Sequence, residues 1–157
     1  MATVQVLYAS TSGHTQYVVS TLCEFLKSQK PDLQVELLRI ELAKAEDLAK
    51  GDLLILASST WNTGGAEGQL NPHMFLFVND RAKDADLAGK KTAVIGLGDQ
   101  RYRYTARAAD HLETFVTSHG GIIAVPTLRV VNEPYGQEEK VKEWGTQLLS
   151  MLSSLRA

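Results

Sequence analysis

The chain carries Ser10-Thr11-Ser12-Gly13-His14-Thr15 directly between an apolar run, Val4 to Ala9, and a helical pattern that begins near Gln16. Four hydroxyl groups therefore stand at the expected start of a helix, where backbone N–H groups are unpaired and the helix dipole is positive. Gly13 lets the backbone approach a ligand closely. A helix start of this composition suits a phosphate group. The alternative is a hydroxyl-rich helix cap, which needs no ligand.

The kind of phosphate follows from what this first loop lacks. It contains no lysine, and its spacing differs from the P-loop of nucleoside triphosphatases. A monophosphate therefore fits better than a triphosphate with magnesium. His14 has two interpretations at this position: a donor to the phosphate, or a simple helix cap.

Apolar runs alternate with helical patterns along the whole chain. Four runs are near-continuous, which is typical of parallel strands buried on both faces, and a fifth has the polar interruptions of an edge strand. The runs are Val4 to Ala9, Leu53 to Ala57, Thr92 to Leu97 and Ile122 to Val125, with Val35 to Ile40 as the edge strand. Between them the spacing predicts helices from Val18 to Leu26, Leu42 to Lys50, Leu70 to Asp80, Ala108 to Val116 and Val141 to Leu155. This alternation predicts an α/β fold, doubly wound, with a parallel sheet and helices on both faces.

Two further loops follow strands, and both carry an aromatic residue. Ser59-Thr60-Trp61 opens a glycine-rich irregular region, 58–68, and Gly98-Asp99-Gln100-Arg101-Tyr102 follows the fourth strand. In open α/β sheets ligands bind beyond the carboxyl ends of strands, where the winding reverses, so all three loops are expected to meet there. Trp61 can stack on a flat ligand, or it can simply cover the end of the sheet. Asp99 can accept a hydrogen bond from a ring N–H, or it can cap a turn. Together the loops predict a phosphorylated planar cofactor held between aromatic rings.

Composition bounds the remaining possibilities. The chain has 157 residues, 44% of them hydrophobic and 22% charged, and this length and composition predict one domain over 1–157. Its net charge of −2 gives no sign of a nucleic-acid or membrane partner. A single cysteine, Cys23, excludes an internal disulfide, and cytoplasm is the expected compartment. The histidines show no metal-ligand spacing, so no metal is expected. No Ser-His-Asp pattern is visible, so no catalytic residue is assigned.

The three loops, taken in order and spacing, closely resemble the flavodoxin family, and the resemblance covers nearly the whole chain. It implies a flavodoxin-like, five-stranded sheet of strand order 2-1-3-4-5, with FMN as the cofactor and low-potential one-electron transfer between redox partner proteins as the function. The chain lacks the insertion of long-chain members after Gly121 and is similar to the short-chain type. The FMN-binding residues that the resemblance implies are Ser10, Thr11, Ser12, Gly13, His14, Thr15, Ser59, Thr60, Trp61, Asn62, Thr63, Gly64, Leu97, Gly98, Asp99 and Tyr102.

Within that set the resemblance implies separate roles. The first loop and Ser59 hold the phosphate, and Trp61 and Tyr102 cover the two faces of the isoalloxazine ring. Asp99 bonds the pyrimidine edge, with help from the backbone of the two residues before it. The Asn62–Thr63 peptide turns its carbonyl toward N5 of the reduced flavin, a movement that we expect to be stiffer with Asn than with Gly.

The chain departs from the family in charge. Flavodoxins are usually strongly acidic, whereas this chain is nearly neutral and carries Arg101, Arg103 and Arg107 around Tyr102. The usual basic redox partners are therefore in question, and the potential is expected to be less negative than in acidic members. His14 occupies a position that is often Asn and, when protonated, would pair with the phosphate.

Two other functions remain open at this point. One is an FMN-dependent NAD(P)H:quinone reductase on the same fold, which needs space for a second substrate over the flavin. The other is a flavin-free regulatory domain of the same architecture. The leading interpretation is a monomeric electron carrier that takes electrons from a flavin-dependent reductase and passes them to an acceptor protein.

Overall fold

The computed structural model describes residues 2–65, 67–100 and 105–155. Strands and helices alternate along the chain, as the apolar pattern predicts. The strands are β1 (Thr3–Ala9), β2 (Gln34–Arg39), β3 (Leu53–Trp61), β4 (Gln69–Leu70), β5 (Lys91–Gly98), β6 (Ile122–Ile123) and β7 (Leu128–Val131). The α-helices are α1 (His14–Gln29), α2 (Pro72–Leu76), α3 (Ala108–Ser118) and α4 (Glu138–Leu155).

The sheet has the predicted order. Its main path is β2-β1-β3-β5-β6, and every pair along it is parallel. This is the order 2-1-3-4-5 when only the five predicted strands are counted, so that prediction is confirmed. The fifth strand is divided: β6 pairs with the start of β5 and β7 pairs with its end, where Gly98 lies opposite Val131. The sequence run from Ile122 to Val125 predicts only the first of these two pieces.

Three predicted boundaries differ from the structure. β3 continues to Trp61 because β4 pairs antiparallel with its end, so Ser59-Thr60-Trp61 belongs to a strand and not to a loop. The helix predicted from Leu70 begins instead at Pro72 and continues as a π-turn over Phe77–Arg81. The predicted helix from Leu42 to Lys50 is replaced by two 3₁₀ turns, Ile40–Leu42 and Ala45–Ala49.

Each face of the sheet has its own apolar core. Side chains of β1 alternate: Val4, Val6 and Tyr8 pack with α1 and α4, whereas Leu7 and Ala9 pack with α2 and α3. This period-2 alternation is what a strand covered on both sides produces. Because helices occupy both faces, the strand ends are left as the place where polar side chains can gather.

Candidate functional site

A cavity of about 780 Å³ lies at the carboxyl ends of the strands, within the size range of cofactor sites. The chain reverses its winding direction here, between β1 and β3. The residues that line the cavity are Ser12, His14, Ser59, Thr60, Trp61, Asn62, Gly65, Glu67, Gly68, Leu97, Gly98, Asp99, Gln100, Asn132 and Glu133. The three predicted loops therefore meet around one space.

The first loop leaves donors available at the start of α1. Helix α1 begins at His14, and the residue at its N-cap is Gly13 with φ +93°, which only glycine adopts readily. The glycine cap itself carries no side chain to occupy the N–H groups of the first turn, and of these the N–H of Gln16 donates to the hydroxyl of Ser10 over 3.3 Å. The hydroxyl of Thr15 is buried, with the residue 1% exposed, and has no hydrogen-bond partner among the described residues. A phosphate bound at this helix start would give the buried hydroxyl the hydrogen-bond partner that it lacks.

A cation from β2 supports this loop from behind. The guanidinium of Arg39 donates to the carbonyl oxygen of Ser10 over 2.5 Å and to the side chain of Gln16 over 3.1 Å. A hydrogen bond to the Glu41 carboxylate raises the pKa of Arg39. The loop contains no cation of its own, but Arg39 is bonded to its backbone. The sequence pattern does not reveal this residue, because 29 positions separate it from Ser10.

The indole of Trp61 has a fixed orientation at the cavity wall. Its N–H donates to the hydroxyl of Ser59 over 2.6 Å, and both side chains are partly exposed. A hydroxyl that accepts one hydrogen bond still has its own proton to donate. Ser59 can therefore hold the indole and donate to a ligand at the same time.

Thr60 and Ser58 have structural bonds. The Thr60 hydroxyl donates to the carbonyl of Leu97 over 2.7 Å and accepts from the N–H of Ala108 over 3.0 Å, so it joins β3, β5 and the start of α3. The Ser58 hydroxyl donates to the carbonyl of Ser59 and accepts from the N–H of Asn71. Thr60 lines the cavity, but its hydroxyl is engaged in donating and accepting.

Asn71 connects the first loop to the second and was missed by the sequence analysis. Its side chain is 0% exposed, donates to the hydroxyl of Thr11 over 2.9 Å and accepts from the N–H of His73 over 2.9 Å. The second bond caps α2, whose first residue is Pro72. An Asn followed by Pro is a helix-start signature that could have located the cap. The bond to Thr11 has no sequence signal.

The segment after Trp61 makes a tight turn at the cavity mouth. The carbonyl of Asn62 accepts from the N–H of Gly65 over 3.0 Å, and the Thr63 hydroxyl donates to the carbonyl of Leu70 over 2.6 Å. Thr63 and Gly64 do not line the cavity, whereas Gly65 does. Any rotation of the Asn62–Thr63 peptide has to break the bond between Asn62 and Gly65.

The third loop brings three predicted residues to the cavity: Leu97, Gly98 and Asp99. Gly98 is required by close packing, because a Cβ at this position would lie 2.0 Å from the backbone nitrogen of Ala106. The Thr105 hydroxyl donates to the carbonyl of Asp99 over 3.0 Å and closes the loop. The predicted residue Tyr102 lies outside the described residues, as do Arg101 and Arg103.

A fourth segment, 132–138, also reaches the cavity and was not predicted. Asn132 has φ +68°, a left-handed conformation that Asn tolerates better than most residues. Its N–H donates to the carbonyl of Gly98 over 2.7 Å, and its side chain accepts from the N–H of Gln100 over 3.0 Å. Asn132 thereby supports the third loop, and Glu133 next to it lines the cavity.

The predicted site residues fall into three groups. Those on the cavity wall are Ser12, His14, Ser59, Thr60, Trp61, Asn62, Leu97, Gly98 and Asp99. Those close by in the chain but not on the wall are Ser10, Thr11, Gly13, Thr15, Thr63 and Gly64. Tyr102 forms the third group by itself, since it lies outside the described residues.

The sheet is parallel and doubly wound, one helix N-terminus at the cavity is suited to a phosphate, and an indole lies on the cavity wall. These features define the class of proteins that bind a phosphorylated planar cofactor. The family profile of flavodoxin matches residues 6–144. The chain therefore belongs to the flavodoxin family, whose members carry electrons on bound FMN.

Individual relatives agree with this assignment. The chain is 30% identical to a flavodoxin of Maridesulfovibrio salexigens over 90% of this chain and 92% of that protein. The crystal structure of oxidised flavodoxin 1 from Bacillus cereus superposes with a TM-score of 0.82 at 26% identity, covering 95% of this chain and 98% of the other. The chain is also 28% identical to part of the sulfite reductase [NADPH] flavoprotein alpha-component of Vibrio cholerae, over 94% of this chain and 23% of that protein.

Within the described ranges no helix is long and apolar enough to cross a membrane. In the same part of the chain, no group of three or more His, Cys, Asp or Glu side chains is arranged to hold a metal ion.

Proposed function

We propose that the cavity holds FMN with the phosphate at the start of α1 and the isoalloxazine ring beside Trp61. The observation that carries this proposal is the buried hydroxyl of Thr15, which lacks a partner in the described structure. A buried polar group without a partner is costly, and a phosphate oxygen would satisfy it. The residues of the site therefore fit the cofactor of the family.

The phosphate end would be formed by the first loop and by Ser59. The proposed donors on the cavity wall are the hydroxyls of Ser12 and Ser59. The orphaned hydroxyl of Thr15 and the first-turn N–H groups of α1 other than that of Gln16, which donates to Ser10, are the remaining proposed donors. Thr11 would be placed by its bond to Asn71, and Ser10 by its bond to Arg39. Preorganised donors avoid the reorganisation that a flexible loop would need on binding.

The ring end would be formed by Trp61, by the turn at Asn62, Thr63 and Gly64, and by the third loop. The indole is already oriented by Ser59, so it offers a fixed apolar face. Asp99 and the backbone of the two residues before it are proposed to bond the pyrimidine edge. Tyr102 is proposed for the opposite face of the ring.

Bound FMN supplies one-electron chemistry, and the residues of this chain bind it, orient it and set its electrostatic surroundings. Three carboxylates, from Glu67, Asp99 and Glu133, line the cavity, and no described lysine or arginine does. Negative groups around the site disfavour the addition of an electron. This arrangement supports a low potential. That Arg101 and Arg103 make the potential less negative than in acidic members of the family stays a prediction.

A carrier is favoured over an enzyme because the site is built for one ligand. A quinone reductase needs space for a second substrate over the flavin, whereas Trp61 occupies one wall and Tyr102 is proposed for the other. The match to part of a sulfite reductase flavoprotein keeps a reductase role as the alternative to be tested. A flavin-free regulatory domain is the other alternative, and the orphaned Thr15 hydroxyl speaks against it.

Further parts of the proposal rest on the sequence. Residues 1–157 form one domain that acts as a monomer in the cytoplasm. A flavin-dependent reductase and an electron acceptor are its partner proteins.

The experiment compares Thr15→Val with Thr15→Ser in the full chain. Valine removes the hydroxyl and keeps the shape, so the apoprotein should be as stable as wild type or more so, while FMN binding weakens about tenfold or more. Serine should retain FMN affinity. Riboflavin, which lacks the phosphate, should bind both variants alike. A purified protein that binds no FMN would overturn the proposal, and NADPH oxidation by the purified protein alone would favour the reductase.

A further inference from the structure

Three aromatic side chains meet beside the phosphate end of the cavity. Tyr135, in the segment between β7 and α4, makes an edge-on contact with the ring of His14, with centroids 5.7 Å apart and planes at 88°. The same Tyr135 ring contacts Tyr17, one turn further along α1, at 4.8 Å. His14 is partly buried and lines the cavity, whereas Tyr135 is 55% exposed and does not.

A carboxylate fixes this aromatic group to the rest of the fold. The hydroxyl of Tyr17 donates to Glu138 over 2.5 Å, and the N–H of Gly136 donates to the same oxygen over 3.2 Å. The hydrogen bond from Tyr17 lowers the pKa of Glu138, so the carboxylate stays charged at neutral pH. Both ends of the segment that carries Tyr135 are thus fastened. Asn132 is bonded to the third loop at one end, and Glu138 is bonded to α1 at the other.

We propose that Tyr135 is a positioning residue that holds the imidazole of His14 toward the phosphate of FMN, and that this contact makes the site select FMN over riboflavin. The inference rests on the proposed function. His14 is the first residue of α1, where a side chain has several rotamers and ordering one of them costs entropy. The Tyr135 ring, itself held by Tyr17, restricts the imidazole before the ligand arrives. The expected gain in affinity is for the phosphate group, because His14 is the first residue of α1, where the phosphate is proposed to bind.

The proposed role of Tyr135 differs from a merely structural role in which ligand it affects. A residue needed only for folding would affect FMN and riboflavin equally. A residue that acts through His14 affects only the ligand with a phosphate, and only while His14 is present.

The test measures dissociation constants for FMN and riboflavin from the quenching of flavin fluorescence. Tyr135→Leu removes the ring and keeps apolar bulk, and we expect FMN to bind about fivefold more weakly with riboflavin affinity unchanged. Tyr135→Phe keeps the ring and serves as the matched control with wild-type affinity for both. In a His14→Ala background, Tyr135→Leu should have no further effect on FMN.

A second measurement uses the apoprotein. Tyr135→Leu should shift the ring-proton NMR signals of His14. The signals of His73 should stay unchanged, because His73 is on α2, which packs on the opposite face of the sheet from α1. Equal losses for FMN and riboflavin, or a full Tyr135→Leu effect in the His14→Ala background, would overturn the inference and leave the proposed function standing. Wild-type protein that binds neither ligand would overturn the proposed function itself.

Discussion

The side-chain amide of Asn71 donates to the hydroxyl of Thr11 over 2.9 Å, across 60 positions of sequence. Asn71 is fully buried and also caps α2, so the first loop and the chain after β4 form one hydrogen-bonded unit. Two threonines of the first loop therefore differ: Thr11 has a protein partner, and Thr15 has none among the described residues.

Thr11→Val should lower the stability of the apoprotein. The substitution leaves a buried Asn71 N–H without an acceptor, which costs about 2 kcal/mol of unfolding free energy. Urea unfolding of the apoprotein measures the change. Thr11→Ser keeps the hydroxyl and should unfold like wild type. Equal stability of the two variants would show that the bond contributes nothing. The opposite behaviour is expected of Thr15→Val, which removes an unsatisfied group.

Gly98→Ala should destabilise the fold and deform the third loop. The added Cβ would lie 2.0 Å from the backbone nitrogen of Ala106, so the loop or the strand has to shift, at a cost of about 3 kcal/mol. Thermal unfolding and FMN titration measure the two effects. Gly89→Ala is the matched control: no atom lies within 4 Å of the added Cβ, and its φ of +72° predicts a loss of only about 1 kcal/mol. Similar losses at both positions would contradict the packing argument.

The sequence predicts the parts of the site that follow local rules. Hydroxyls at a helix start, residues after buried strands and the alternation of strands and helices all lie within short windows of chain. Asn71, Arg39 and Asn132 escape prediction because each acts on a partner far along the chain. The end of β3 escapes for the same reason, since β4 prolongs it only once the chain has turned back. The division of the fifth strand could not be predicted either, because β6 and β7 are defined by their pairing with opposite ends of β5.

Ser59→Ala should release the indole of Trp61. The hydroxyl is the acceptor of the Trp61 N–H at 2.6 Å, and it is also a proposed phosphate donor. In the apoprotein, the indole N–H signal of Trp61 should shift, whereas that of Trp144, bonded to the carbonyl of Pro126, should not. FMN should bind at least tenfold more weakly, and the loss of affinity for riboflavin should be smaller. An unmoved Trp61 signal would show that the indole is held by other contacts.

Cys23 should resist alkylation in the folded protein. Burial raises the pKa of its thiol to about 11, so very little thiolate is present at neutral pH. Iodoacetamide at pH 7.5 should leave the native protein unmodified over hours and label it fully in urea. Rapid labelling without denaturant would mean that α1 opens far more often than its packing indicates.

Acid should remove part of the stability through Asp47. Its carboxylate accepts from the backbone N–H of Lys44 over 2.7 Å and pairs with the Lys50 ammonium over 2.7 Å, and these contacts, the backbone bond first, lower its pKa. A carboxyl group whose pKa is lower in the folded state stabilises the fold at pH values above its unfolded pKa of about 3.9, and this contribution disappears as the pH falls through the folded pKa.

Asp47→Ala should therefore lower the unfolding free energy by about 1 kcal/mol at pH 7, the usual size of a lost cap, and by progressively less below pH 4. Urea unfolding between pH 7 and pH 3 measures this convergence. Asp84→Ala, at an exposed position, is the control and should leave the curve unchanged. A constant difference between wild type and Asp47→Ala across that range would show that Asp47 acts through its shape and not through its charge.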